Sequence, residues 1–377
     1  MTRTEYDVII VGGGIIGTAT GYYLAKSGKK ILLLEKKYLG AGSTGRCIGG
    51  IRAQFSTETT IRVAMESVRL FGEMEDEFGF SVEWADSGYL FLAFTEAQKE
   101  GFLNVMKIQH EMGLNVKFLE PEEIREKFPF VNVDHCLGGT WCDSDGQADP
   151  FFVLKGYSLG IKRFDGEILT NEEVTEIEQQ AGKFRVRTRS GKTFWAKQIL
   201  NAAGPDAFDV GQMVGLDLPV APERHEAMIT EGVEYVGIPM IVDYRSDGCY
   251  FQQRLTGQII GCYTPEVRVP GKSVETTFEF LTEMSRRMLR VIPALEPVPV
   301  LRQWAGSYTM TPDGNPIVDE TSVPNFFVSV GMSGHGFMLG PALGKNLAYY
   351  MVHGSWEHDM DEFSFSRNFG SKTEAMK

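Results

Sequence analysis

Long apolar runs are missing from this 377-residue chain: none approaches the roughly 20 residues of a membrane-spanning helix, and residues 1–7 are polar and charged where a secretory signal is apolar. The expectation is a cytoplasmic protein, at most peripheral to a membrane. Cysteine is scarce. The five present, Cys47, Cys136, Cys142, Cys249 and Cys262, are odd in number and scattered in spacing, with no CxxC pair, so reduced thiols are expected rather than a zinc site or a disulfide framework. No metal is expected. Basic residues are outnumbered, 37 Lys and Arg against 50 Asp and Glu, and the net charge of -13 with no offsetting basic run excludes a nucleic-acid-binding surface. Internal repeats and low-complexity tracts are also absent.

What is there fits a soluble, folded protein: 43% hydrophobic and 23% charged residues, in a chain long enough for two lobes, consecutive or interleaved. Residues 6–11 form a β-branched run that breaks at Gly12-Gly13-Gly14, the pattern of a buried parallel strand entering a tight turn. The spacing predicts a helix over 15–27 and a second buried strand over 31–34, which makes one βαβ unit. Charge-rich helices and short strands follow over 88–128, then a Gly- and Asp-rich stretch, 138–149, that reads as loop. Strands are predicted at 183–189, 198–203, 227–230, 249–254, 258–262 and 326–330, with helices over 274–291 and from about 337. The tail from 370 to 377 is polar and reads as frayed.

Gly12-x-Gly14-x-x-Gly17 sits between predicted strand and helix, and Glu35 ends the next strand. The first glycine permits the turn, the second lets a pyrophosphate approach the backbone, and the third lets helix and strand pack closely. The helix N-terminus attracts the negative charge, and Glu35 accepts from ribose hydroxyls. This fingerprint alone serves NAD as well as FAD. Lys36 and Lys37 suit a 2′-phosphate that Glu35 would repel, or simply a solvated face. Two further glycine clusters, 40–46 and 331–336, favour FAD, because an extended cofactor needs several close backbone approaches; the helix after Gly336 would aim its positive end at a reduced flavin.

These segments resemble the D-amino acid oxidase and sarcosine oxidase superfamily, in particular the β subunits of sarcosine oxidase and archaeal L-proline dehydrogenase. The matching stretches, 8–55, 198–205, 304–319 and 329–344, span most of the chain. Their most specific parts are SGHGFMLGPALG at 333–344 and YTMTPDGNPIVD at 308–319, while STGRCIGGIRAQF at 43–55 looks most like the proline dehydrogenase β subunit. The resemblance implies an α/β fold: a Rossmann-like FAD-binding domain (1–85, 150–215 and 302–369) interleaved with an antiparallel-sheet α+β substrate domain (86–149 and 216–301). It implies that Ser43, Thr44, Arg46, Gly49, Gly50 and Ile51 line the flavin, that Val174 meets the adenine, and that Gly334, His335, Gly336, Phe337 and Met338 cover the pyrimidine end of the ring. Ile15, Ile16, Lys36, Cys47, Ala203, Gly204 and Gly306 complete the candidate cofactor-binding set.

Departures from the family pattern refine the expectation. Gly306 stands where monomeric sarcosine oxidases carry the cysteine that tethers FAD, so non-covalent FAD is expected. No histidine occurs in the segment 145–152 that resembles the site of covalent FMN attachment, so a second flavin fits only a non-covalent site within a complex. Ile259 aligns with the family's oxygen-activating lysine, which implies a dehydrogenase. The usual carboxylate anchors fall at Met338 and Tyr308. Arg52 is the favoured carboxylate partner, since a guanidinium grips a carboxylate in two places, though a purely structural arginine reads equally well. Tyr250, Phe251 and Tyr308 are candidate pocket walls or simple core, and His225 a candidate contact to substrate or solvent channel.

The implied function is an FAD-dependent dehydrogenase that oxidises the C–N bond of a secondary amine such as L-proline or sarcosine by hydride transfer. Its electrons pass to an acceptor protein, quinone or dye. The alternatives are an oxidase for glycine, sarcosine or a D-amino acid, and a flavin-binding subunit active only in a hetero-oligomer.

Overall fold

A computed structural model describes residues 5–370 together with Glu374 and Met376. The strand Glu5–Val11 is buried along most of its length and pairs in parallel with Ile31–Glu35 on one side and Thr193–Asn201 on the other. Phe326–Val330 and Glu167–Thr170 extend the parallel core outward, Ile317–Glu320 closes one edge antiparallel, and the hairpin Val174–Gln180/Lys183–Thr188 branches from Thr193–Asn201. Runs such as VIIV and ILLL are apolar on both faces because both faces of the sheet are covered, one by long helices and the other by the 174–188 hairpin and the short helix Ala207–Gln212.

Two helices lie side by side on one face: Ile15–Lys26 follows the first strand directly, and Gly336–His353 follows Phe326–Val330. They pack at glycine contacts: a Cβ on Gly344 would lie 2.7 Å from Ala19 Cβ, and one on Gly340 the same distance from Ile15. The turn between first strand and first helix has Gly12 at φ +115, and a Cβ on Gly17 would lie 2.0 Å from the Gly12 carbonyl. Packing thus accounts for two of the three fingerprint glycines, Gly12 and Gly17, without any ligand.

A second eight-stranded sheet runs in the order Val300–Met310, Ala221–Gly232, Gln258–Cys262, Tyr250–Gln253, Met240–Asp243, Tyr89–Leu92, Gly139–Cys142, Lys117–Leu119. It is antiparallel except where Met240–Asp243 meets Tyr89–Leu92. Helix Phe278–Val291 packs on it through Phe280, Met284 and Met288. The strand Val300–Met310 crosses residue 302, where the sequence suggested a boundary, and pairs along ten positions with Ala221–Gly232.

Three local readings change. The stretch 138–149 is not plain loop: it holds the strands Gly139–Cys142 and Gly146–Gln147, the latter pairing with Gly50–Ile51. Its glycines disguised it, but Gly139 and Gly146 are there because a Cβ would meet the Phe91 and Ala85 carbonyls at 2.3 and 1.9 Å. The helix predicted over 274–291 begins at Phe278. In the tail, Glu374 and Met376 are not frayed but each only 2% exposed; residues 371–373, 375 and 377 lie outside the described residues.

The turn is testable by adding one carbon. Gly17→Ala should cost about 3 kcal/mol by overpacking and lower the thermal midpoint, whereas Gly101→Ala, with nothing within 4 Å in an exposed helix position, should be neutral or raise stability by up to about 1 kcal/mol. Differential scanning calorimetry of the two variants checks both.

Candidate functional site

A cleft of about 430 Å³ runs from the carboxyl ends of the parallel strands to the edge of the second sheet. At one end Glu35 shapes the glycine turn: its carboxylate accepts from the Gly13 amide at 2.8 Å and from the Lys37 amide at 2.8 Å. Gly14, at the N-cap of the first helix, has no side chain to cap it, and the helix start lines the cleft. Lys36 and Lys272 reach the same end, both ion-paired to Asp206. Val174, Ala203 and Gly204 complete this wall.

The middle of the cleft is the loop that begins at Ser43. Thr44 Oγ1 accepts from the Ile15 amide at 3.0 Å, Ser43 Oγ donates to the Ser307 carbonyl at 2.5 Å, and Trp304 Nε1 donates to the Arg46 carbonyl at 2.9 Å. The Arg46 guanidinium turns back on its own loop, donating to the Ala41 and Gly42 carbonyls. Gly306 must be small, since a Cβ there would lie 3.0 Å from Arg46 Cβ. Further on, Gln252 Nε2 donates to the Ile48 carbonyl at 2.7 Å, and Gly49 takes φ +78 beside the Ala148 carbonyl.

At the far end the cleft adjoins a second chamber of about 210 Å³, and Tyr89, His225, Tyr250, Tyr308, Gly334 and Met338 line both. The Tyr250 and Tyr308 hydroxyls lie 2.8 Å apart. The His225 ring stacks on Tyr308 with centroids 3.9 Å apart and an 18° interplanar angle. Burial raises the Tyr89, Tyr250 and Tyr308 phenols above their ordinary range, so all three stay protonated, and between Tyr250 and Tyr308 one hydroxyl donates to the other. Burial, with Arg268 adding to it, lowers His225 to about 4. The imidazole is therefore neutral near pH 7, and its buried Nδ1 has no hydrogen-bond partner among the described residues. Cys47 and Cys262, pushed up to about 12 by burial, are thiols rather than thiolates.

Arg52 lines the second chamber but is only 3% exposed. Its guanidinium donates to the Gln54 carbonyl and, at 2.5 Å, to the Met376 carbonyl; Nη2 also lies 3.2 Å from His335 Nε2, and the plane sits 4.0 Å from the Phe55 ring centroid. Asp145, fully buried, accepts from the Ala53 amide at 2.7 Å and from Gln54 Nε2 at 3.0 Å, and desolvation raises its carboxyl to about 7.

Of the residues singled out in the sequence, Gly12, Gly14, Ile15, Ile16, Glu35, Lys36, Ser43, Thr44, Arg46, Cys47, Gly49, Gly50, Val174, Ala203, Gly204, Gly306, Gly334, Gly336, Phe337 and Met338 line the first cleft, as do His225, Tyr250 and Tyr308. Arg52 and His335 line only the second chamber. Gly17, Ile51 and Phe251 line neither: Gly17 packs behind the turn, and Ile51 and Phe251 are wholly buried in the two separate cores. Phe251 alternates with Tyr250 along one strand, so only one of the pair can face the cleft. Ile259 likewise points into the core while Cys262 of the same strand reaches the cleft. Sequence reasoning missed Tyr89, Cys262, Arg224 and Arg268, each an ordinary strand or loop residue with no motif around it.

The chain matches the family model for FAD dependent oxidoreductases (DAO) over residues 7–350. It is 30% identical to sarcosine oxidase subunit beta of Rhizobium meliloti (strain 1021), over 97% of this chain and 89% of that one. It is 28% identical to mitochondrial dimethylglycine dehydrogenase of Rattus norvegicus, over 97% of this chain but 45% of that protein, so the chain spans about half the length of such relatives. The fold is similar to that of L-proline dehydrogenase from P. horikoshii, with a TM-score of 0.91, 31% identity, and coverage of 96% of this chain and 97% of that one.

The electrostatics of the shared wall predict a histidine that does not titrate in the physiological range. Because the folded value of His225 lies below the ordinary 6.5, the unfolded chain protonates first; its contribution to stability is full above about pH 6.5 and declines as pH falls toward 4. NMR of ring-labelled histidine should show His225 neutral from pH 8 to 5, and a midpoint near 6.5 would contradict the burial argument.

Proposed function

The chain belongs to the FAD dependent oxidoreductase family, and we propose that it oxidises the C–N bond of a small secondary amino acid, L-proline or sarcosine, as a dehydrogenase. The observation that carries the reading is the second chamber, aromatic-walled, adjoining the cleft, with a guanidinium on its wall. The cleft residues suit FAD: the glycine turn and the helix start for the pyrophosphate, Glu35 for the ribose, and the loop from Ser43 to Gly50 with Gly334–Met338 for the ring. Gly306 carries no thiol, and this favours non-covalent binding.

Bound FAD supplies the hydride acceptor. The chain's own groups position the substrate. Arg52 takes the carboxylate, Tyr89 and one of the paired Tyr250 and Tyr308 phenols supply donors, and the neutral His225 lines the substrate space as a hydrogen-bonding group that stays uncharged. Apolar Phe91, Val242 and Met338 leave room for a compact ring or methyl group and offer a primary ammonium little to bind.

Oxygen reactivity should be low because the cleft's lysines, Lys36, Lys37 and Lys272, sit beside Glu35 and Asp206 rather than beside Tyr250 and Tyr308. A role within a larger assembly is a second reading. It is favoured by Phe151, Phe152 and Leu159, exposed at 53%, 38% and 49% along one helix, and by a relative that is itself a subunit.

Anaerobic mixing of the FAD-loaded chain with L-proline, D-proline or sarcosine should bleach the flavin with one of them; no bleaching with any would overturn the reading. R52M should raise KM about 100-fold with a smaller change in kcat, as expected for a lost charge-assisted pair. Peroxide formed in air should amount to no more than about a hundredth of the dye-reduction rate; equal rates would make the protein an oxidase.

A further inference from the structure

Arg52 is already occupied in the described structure. Both directions in which Nη2 can donate are taken, one by the Met376 carbonyl at 2.5 Å and one by His335 Nε2 at 3.2 Å, which accepts when its ring proton is on Nδ1. Nη1 donates to the Gln54 carbonyl. A carboxylate needs two adjacent donors to bind in the forked geometry, and the guanidinium does not offer them while Met376 is in place.

Met376 is held by more than this bond. Its side chain is 2% exposed within the second core, and Gln109 Nε2 lies 3.6 Å from its sulfur. Two residues earlier, the Glu374 carboxylate accepts from the Ser56 amide at 3.1 Å, the Ser56 hydroxyl at 2.7 Å and the Met376 amide at 2.8 Å. Ser56 lies four positions beyond Arg52, so Glu374 and Met376 clasp the same short segment from which the guanidinium projects. A main-chain carbonyl on Arg52 thus takes one of the two adjacent donors that a forked carboxylate would need.

We propose that Glu374 and Met376 act as a strap that competes with the substrate carboxylate for Arg52 and must be displaced for forked binding. This rests on the assignment of Arg52 as carboxylate anchor. A site that is open only part of the time binds its ligand more weakly by the fraction open, so loosening the strap tightens binding without a new contact.

The test uses pyrrole-2-carboxylate, a planar carboxylate that cannot donate hydride, titrated into the FAD-loaded protein and followed by the flavin absorbance change. A chain ended after Gly370 should bind it about tenfold more tightly than the full chain, and the point variant E374A about threefold more tightly. E374A keeps the test valid should the shortened chain fold poorly. R52M should weaken binding at least tenfold in either background. If R52M weakens binding while neither strap variant changes it, the strap is wrong and Arg52 remains the anchor. If R52M binds as well as the parent, the anchor assignment fails and the strap with it.

Discussion

The site depends on a close approach of main chain to main chain at the start of the fold. Two parallel strands and the helix between them converge so tightly at Gly12 and Gly17 that no Cβ fits between the turn and its neighbours, the Ala202 carbonyl at 2.3 Å from one and the Gly12 carbonyl at 2.0 Å from the other. The helix begins on glycine, its first amide donates to the Thr44 hydroxyl, and Glu35 from the next strand closes the turn by accepting the Gly13 amide. The cleft exists because those three elements meet without side chains between them.

The second sheet reaches the cleft through the loop that starts at Ser43. Ser43, Arg46 and Ile48 are each tied by a hydrogen bond to Ser307, Trp304 or Gln252 of that sheet. Arg254 adds ion pairs to Asp149 at 2.9 Å and Glu83 at 2.8 Å. Each of the three loop bonds ends on a backbone carbonyl, so the loop cannot shift without leaving a polar group unpaired, a loss of about 1–3 kcal/mol each. The chamber's walls are therefore fixed relative to the glycine turn.

Dryness sets the chemistry of the chamber. Burial keeps the phenols and thiols protonated and His225 neutral, so the wall carries donors and one neutral acceptor, with charge confined to arginines and acids such as Arg268 and Glu223, 3.1 Å apart. Desolvation also lifts Asp145 toward neutrality beneath Arg52, where it holds the Ala53 amide rather than pairing with the guanidinium.

Local sequence determined the nucleotide-side half. Strand, Gly12-x-Gly14-x-x-Gly17, helix and Glu35 are consecutive, and each glycine answers to a neighbour within a few residues or on an adjoining strand, so spacing alone revealed the turn. The Ser333–Gly336 loop was legible for the same reason. Spacing could not say which face of a strand looks inward: Tyr250 and Phe251 both read as aromatic wall, and register with Gln258–Cys262 sent one to the cleft and the other to the core. Nor could it bring Tyr89, His225 and Tyr308 together, or lay Met376 on Arg52 across 324 positions. Those contacts come from pairing between distant strands and from burial shared by segments far apart in the chain, and no local pattern encodes them.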